Sequence, residues 1–318
     1  MPKLVFIMLS ALLVCSLSAK PKGKVWTTYE SAKSEDPDFL VQGEYGSQAD
    51  GMGVQVVALG DGQFDAYFLE GGLPGDGWDK SKKRIKVNGK TNGQSTDFEG
   101  SGIKASIKEG AISVSWDSKN TILKRIERES PTLGQKAPAG AVVLFDGSNA
   151  DGWQNGKMEN GLLLHGTTSK KKFQSYKLHL EFMTPYRPFD RGQGRGNSGV
   201  YHQGRYETQV LDSFGLEGKM NEAGGIYSIA HPKLNMCFPP LRWQTYDVEV
   251  TTAEFKDGKK VKNAVMTVRL NGVVVQENIE LTHKTTAAPV NEGPDPGPIY
   301  LQNHGNPVFY RNIWVIEK

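Results

Sequence analysis

Cysteine is nearly absent from the 318-residue chain: only Cys15 and Cys237 occur. Cys15 lies in a leader-like segment, so once that segment is removed Cys237 has no partner and the mature chain forms no internal disulfide. Beside Phe238 and two prolines, Cys237 reads as a small buried apolar residue rather than a nucleophile. After the N-terminus no apolar run is long enough to span a bilayer. Basic residues are scattered and the formal net charge is only +3, which excludes a nucleic-acid-binding stripe. No convincing amphipathic helix appears. No close-spaced ligand set such as H-x-H or H-E-x-x-H occurs, so spacing predicts no metal and no cofactor. A divalent cation held by ligands distant in sequence, such as His202, Glu207 and His304, stays open.

What is present is glycine, 37 residues of it, within a composition that is 37% hydrophobic and 23% charged, as in a globular protein long enough for two cores. Met1 to Ala19 has a single Lys3, an apolar run from Leu4 to Val14 and the small residues Ser16, Ser18 and Ala19. This is a secretory signal peptide pattern with cleavage near Ala19. A lipoprotein reading competes because Cys15 ends the run, although Val14 stands where a small residue is expected. The expectation is an exported protein, periplasmic or extracellular, free of the membrane after cleavage.

From residue 25 to 130, short alternating segments recur between glycine-rich turns and predict an antiparallel sandwich or barrel. The loop from Gly71 to Trp78 is either an aromatic ligand platform or a tryptophan tucked against its own loop. Residues 131–140, PTLGQKAPAG, read as a short linker. From 141 to 318 the strands lengthen. Tyr176, Leu178, Leu180 and Phe182 point one way, and Asn271-Gly272 marks a tight hairpin between Asn263 to Leu270 and Val273 to Gln276. This half is expected to be a two-sheet antiparallel jelly roll, making the whole chain all-β.

One stretch departs from the usual core pattern. In Arg205 to Val210 one strand face presents Arg205, Glu207 and Gln209, and the other Tyr206, Thr208 and Val210. Such a polar row is either the wet outer face of a hairpin or a ligand-binding surface.

Six motifs occur in order: LFDGSNADGW (144–153), GNSGVYHQGRYETQVLDSFG (196–215), GGIYSIAHP (224–232), WQTYDVEV (243–250), LNGVVV (270–275) and PIYLQNHGNPVFYRNIWV (298–315). Together they resemble the 3-keto-disaccharide hydrolase family from Val142 to the C-terminus, with residues 25–130 similar to a companion domain of no assigned activity. The resemblance implies a concanavalin A-like β-sandwich whose concave face takes an oligosaccharide or keto-glycoside, and a reaction in which a base removes the proton at C2 of a 3-keto-sugar. The C1 substituent then leaves by β-elimination and water adds to the product. It implies Glu207 as the base, with His202 or His304 as acid or enolate donor. The substrate-binding set would be Asn197, Tyr201, Arg205, Gln209, Asp212, Tyr227, Gln302, Asn303 and Arg311.

Two further readings stay open beside it. Glu207 could instead form an ion pair with Arg205, and the fold serves lectins as well as enzymes. The E-x-D-x-x-E run of two-carboxylate sandwich glucanases is absent, and Glu207 and Asp212, an odd number apart, would face opposite ways on one regular strand.

Overall fold

The computed structural model describes residues 23–318; the expected leader, Met1 to Ala19, lies outside them. The N-terminal half is a closed antiparallel barrel of eight strands, in the order Gly43–Ser47, Lys119–Ile126, Ala111–Trp116, Ile103–Lys108, Ser95–Gly100, Arg84–Asn92, Gln63–Glu70 and Met52–Gly60. Period two is visible in Ala111–Trp116, where Ile112, Val114 and Trp116 are buried and Ser113 and Ser115 exposed. Closure leaves the wall without a free edge. Two short helices missed by the sequence reading precede it, Tyr29–Glu35 and Pro37–Val41. The Thr28 hydroxyl caps the first, and Asp36 together with Pro37 starts the second. At seven and five residues they are too short to show a 3.6-residue period.

The C-terminal half is a two-sheet β-sandwich. One sheet runs from Met158–Glu159 through Leu162–Leu164, Phe309–Glu317, Tyr176–Met183, Gln244–Thr251 and Ala264–Leu270 to Val273–Leu281, with Val142–Phe145 paired to Phe309–Glu317. The other orders Trp153–Gln154, Thr167–Phe173, Gly297–Leu301, Ser198–His202 and Tyr206–Val210. Leu178, Leu180, Phe182, Tyr246, Val248, Val268, Val200 and Ile299 fill the space between them, each contributing roughly 1.5–3 kcal/mol by burial. Asn271 and Gly272 turn the long hairpin with φ of 52° and 79°, the left-handed geometry a two-residue turn requires.

The stretch expected as a linker is fastened down. Gly134 N–H donates to Glu181 Oε1 (2.6 Å), Thr132 Oγ1 donates to Asp247 Oδ2 (2.7 Å), and the Gln135 carbonyl accepts from Asn312 Nδ2 and Trp314 Nε1. His179, fully buried and stacked on Trp314, lies at the centre, with Nδ1 2.7 Å from Asp247 Oδ1. Burial alone would lower its pKa, but Asp247 and Glu181 outweigh that and raise it. Glu181 is held down to about 2, because its bonds to His179, Asn312 and Arg311 overcome burial.

The His179 contribution is therefore complete below an unfolded pKa near 6.5 and is lost as pH rises through the higher folded value. That of Glu181 is present above about 4.5 and is lost as pH falls toward 2. His179→Gln is expected to lower the melting temperature by roughly 3–8 °C near pH 5.5, with the difference from wild type shrinking as pH rises; thermal melts from pH 5 to 9 read this.

Barrel and sandwich share packing. Tyr186 and Leu241 of the sandwich sit in the barrel's cluster with Trp26 and Phe39, and Trp26 and Tyr186 exchange two backbone hydrogen bonds. Phe214 packs with Val57, Tyr67, Leu69, Leu73 and Trp78. Trp78 is thus a buried interface residue, its Nε1 donating to the Lys83 carbonyl, and not an open platform.

Candidate active site

Strands Ser198–His202 and Tyr206–Val210 form a tight hairpin turned by Gln203 and Gly204, both in the left-handed region. The register pairs Tyr201 with Glu207 and Gly199 with Gln209. Directly opposed residues share a face, so Gly199, Tyr201, Glu207 and Gln209 point away from the core, whereas Val200, Thr208 and Val210 point into it.

Glu207 is only 3% exposed. Tyr201 Oη donates to its Oε2 (2.8 Å), and Gln302 Nε2 donates in turn to Tyr201 Oη (3.1 Å). Room for the carboxylate comes from Gly199, where a Cβ would lie 2.1 Å from Oε1. Burial pushes the Glu207 carboxyl up to about 7, partly opposed by the Tyr201 hydrogen bond. Burial, followed by the charge of Glu207, raises the Tyr201 phenol above its ordinary range.

Around this carboxylate lies a cavity of about 110 Å³ lined by Gln193, Asn197, Tyr201, Glu207, Gln209, Tyr227, Thr286, Ala287, Gln302 and His304. The three amides interlock: Gln193 Oε1 accepts from Asn197 Nδ2 (2.9 Å) and Gln209 Nε2 (3.0 Å), and Asn197 Oδ1 accepts from Gln209 Nε2 (3.2 Å). Tyr227 is carried in by its backbone N–H, which donates to the Glu207 carbonyl. A larger hollow of about 670 Å³ lies on the barrel wall beside Phe98, Lys104 and Ile122. No buried titratable group faces it, whereas the smaller cavity holds the desolvated Glu207 carboxylate, the kind of group that supports chemistry.

A family model described as the 3-keto-alpha-glucoside-1,2-lyase-like domain matches residues 140–316. The chain belongs to this family. Among solved structures it is similar to a candidate glycosyl hydrolase of Parabacteroides distasonis ATCC 8503, at 32% identity and a TM-score of 0.53, over 57% of this chain and 86% of that one. A second candidate glycosyl hydrolase of the same organism aligns at 20% identity and a TM-score of 0.42, over 56% of this chain and 94% of that one. No curated protein matches the sequence. Membership places the lyase-like domain among glycoside-acting enzymes.

Seven of the expected site residues, Asn197, Tyr201, Glu207, Gln209, Tyr227, Gln302 and His304, meet in this cavity of the lyase-like domain. The other five are placed elsewhere. His202 falls on the core face of its strand, fully buried between Tyr176 Oη (3.1 Å from Nδ1) and Thr208 Oγ1 (3.0 Å from Nε2), and burial pushes its pKa down to about 3. It therefore cannot converge with Glu207 and His304 on a cation. Among the described residues no group of three His, Cys, Asp and Glu side chains is placed to hold one.

Arg205 precedes the strand and makes no ion pair with Glu207; its guanidinium donates to the Asn291 and Asp295 carbonyls and anchors the loop that carries Thr286 and Ala287. Asp212 pairs with Arg195 at 2.7 Å, and both are buried. Asn303 turns back to accept from Gly305 N–H. Arg311 belongs to the other sheet, stacked 3.9 Å from the Trp243 ring centroid and bonded to Glu181.

Gln193, on a single 3-10 turn, and Thr286 and Ala287, in a loop, have no periodicity that marks them in the sequence. The one available signal was the glycine-rich RGQGRG run immediately before the GNSG motif. Cys237 is buried, with its thiol pushed up to about 12 by burial.

Proposed function

We propose that the lyase-like domain cleaves 3-keto-glycosides by β-elimination and hydration, with Glu207 as the base. The observation that carries this reading is a single carboxylate in the cavity lining, desolvated and poised near neutrality. A conventional glycosidase needs two carboxylates flanking the scissile bond, and Asp212 is committed to Arg195. A ketone at C3 removes that need, because it acidifies the C2 hydrogen. Glu207 takes the C2 proton, the electron pair passes to the C3 oxygen as an enolate, and the C1–O bond breaks as the enone forms. The leaving oxygen takes a proton, for which His304 is the lining residue best suited. Water then adds across the enone and gives the free 3-keto-sugar.

The enolate calls for donors, and the Tyr227 phenol and the lining amides supply that type of group. A general base is most effective with a pKa near working pH. A lectin gains nothing from a desolvated carboxylate at the bottom of its pocket. The substrate belongs outside the cytoplasm if residues 1–19 act as the expected leader.

Purified protein incubated with 3-keto-trehalose or 3-keto-lactose is expected to release monosaccharide, and in deuterated water to place deuterium at C2. Binding without release across several keto-substrates, with divalent ions either added or chelated, sinks the enzyme reading. Release without C2 deuterium sinks the elimination step.

A further inference from the structure

We infer that the N-terminal barrel is part of the active-site scaffold and that Arg195 is the positioning residue through which it acts, an inference that rests on the chemistry proposed at Glu207. The cavity wall formed by Gln193 and Asn197 belongs to a segment with little to hold it by itself: one turn of 3-10 helix, Gly192–Gly194, with Gly192 and Gly196 at positive φ. Glycine-rich backbone is costly to order, and the order comes from its neighbours: within the sandwich, Gln193 Nε2 donates to the Asn221 carbonyl, Gly196 N–H to Asn306 Oδ1 and Asp212 N–H to the Arg195 carbonyl.

The barrel adds to this through Arg195. Arg195 is 5% exposed, and only one of its side-chain contacts is to an acid: Nε donates to Asp212 Oδ2 at 2.7 Å. The other two nitrogens cross to the barrel, Nη1 to the Ala58 carbonyl (3.2 Å) and Nη2 to Gln42 Oε1 (3.3 Å). Gln42 is held for the task, since the same Oε1 accepts from Ala58 N–H at 3.0 Å. A second crossing runs from Arg191 Nη2 to the Leu59 carbonyl at 3.0 Å. Without the barrel Nη1 and Nη2 exchange these fixed acceptors for mobile water, and the Asp212 bond on Nε alone no longer fixes the orientation of the guanidinium. Gln193 and Asn197 each lie two residues from it, and both hold the Gln209 amide, two positions along the strand from Glu207. Arg195 does not line the cavity, so it acts on substrate only through these amides.

The test uses the full chain with Arg195→Lys, which keeps the charge beside Asp212 but not the two-pronged reach, and Gln42→Leu, which removes a barrel acceptor that does not line the cavity. Hydrogen exchange without substrate is expected to be about tenfold faster at amides 190–197 in both variants, with the sandwich core unchanged. On 3-keto-trehalose the Michaelis constant is expected to rise about tenfold while kcat changes less than about threefold. A merely structural role lowers kcat through lost folded protein and leaves KM alone, and that result overturns the inference, as does unchanged exchange in a folded variant. If Gln42→Leu does not fold, Arg195→Lys carries the test. If wild type turns over no keto-glycoside the proposed reaction fails, and exchange at 190–197 still decides whether the barrel holds this wall.

Discussion

Glu207→Gln is expected to lower turnover of a 3-keto-glycoside by a hundredfold or more while the melting temperature holds or rises. Gln keeps the shape and most of the hydrogen bonding at the base of the cavity and removes only basicity and charge. The direction of the stability change follows from linkage. An unfolded glutamate ionises near 4.5, whereas the folded carboxyl keeps its proton up to about 7. The folded state is therefore penalised progressively between those values and by a constant amount above them.

At about 1.4 kcal/mol per pKa unit the penalty is on the order of 3 kcal/mol, so the variant's stability advantage should be largest above pH 7 and vanish near pH 4.5. Activity should follow the same pH course. Wild-type kcat/KM is expected to rise with pH to a plateau, with an apparent pKa near 7. Tyr201→Phe, which removes a donor to the charged form, should move that limb to higher pH. Undiminished turnover by Glu207→Gln assigns the base elsewhere, with His304 as the next lining residue to replace.

Gly199→Ala should be nearly as damaging, although the change is one methyl group. Its Cβ would stand 2.1 Å from Glu207 Oε1, 2.8 Å from Cδ and 3.0 Å from Cγ, so the carboxylate must swing off Tyr201 or the two strands must part. Alanine is otherwise acceptable in an extended strand. A loss of about a hundredfold in kcat is expected with a modest fall in melting temperature, since misplacing a reacting group by about 1 Å is enough for that. If Gly199→Ala retains turnover, the carboxylate tolerates displacement and the close fit has no catalytic meaning.

The parts of the fold legible in the sequence were those that depend on local period. Tyr176 to Phe182 declared its inward face by alternation, and Asn271-Gly272 declared its hairpin by the backbone it demands. Parity along Arg205 to Val210 correctly put Glu207 and Gln209 on one face. His202 was misplaced because parity along one strand says nothing about the next until register is known. Once Tyr201 pairs with Glu207, His202 must join Tyr206 on the core side.

Arg311 could not be sorted because nothing local distinguishes the two sheets of a sandwich. Barrel closure and the descent of residues 131–140 onto His179, Glu181 and Asp247 are long-range facts, made of contacts between residues far apart in the chain. The prolines, glycines and lack of period in that segment suited a free linker as well as a bonded strap.

Tyr186 and Leu241, buried in the barrel's own core, bear on how this architecture is inherited. The family likeness begins at residue 140, but that point marks where sequence kinship starts, not where one stable body ends and another begins. A relative lacking the barrel has to cover the equivalents of Tyr186, Leu241 and Phe214 by other means, with smaller or polar residues or with a different neighbour. The two halves are therefore bound to change together, and a barrel transplanted onto another sandwich of the family brings an exposed aromatic seat unless its matching tyrosine and leucine travel with it.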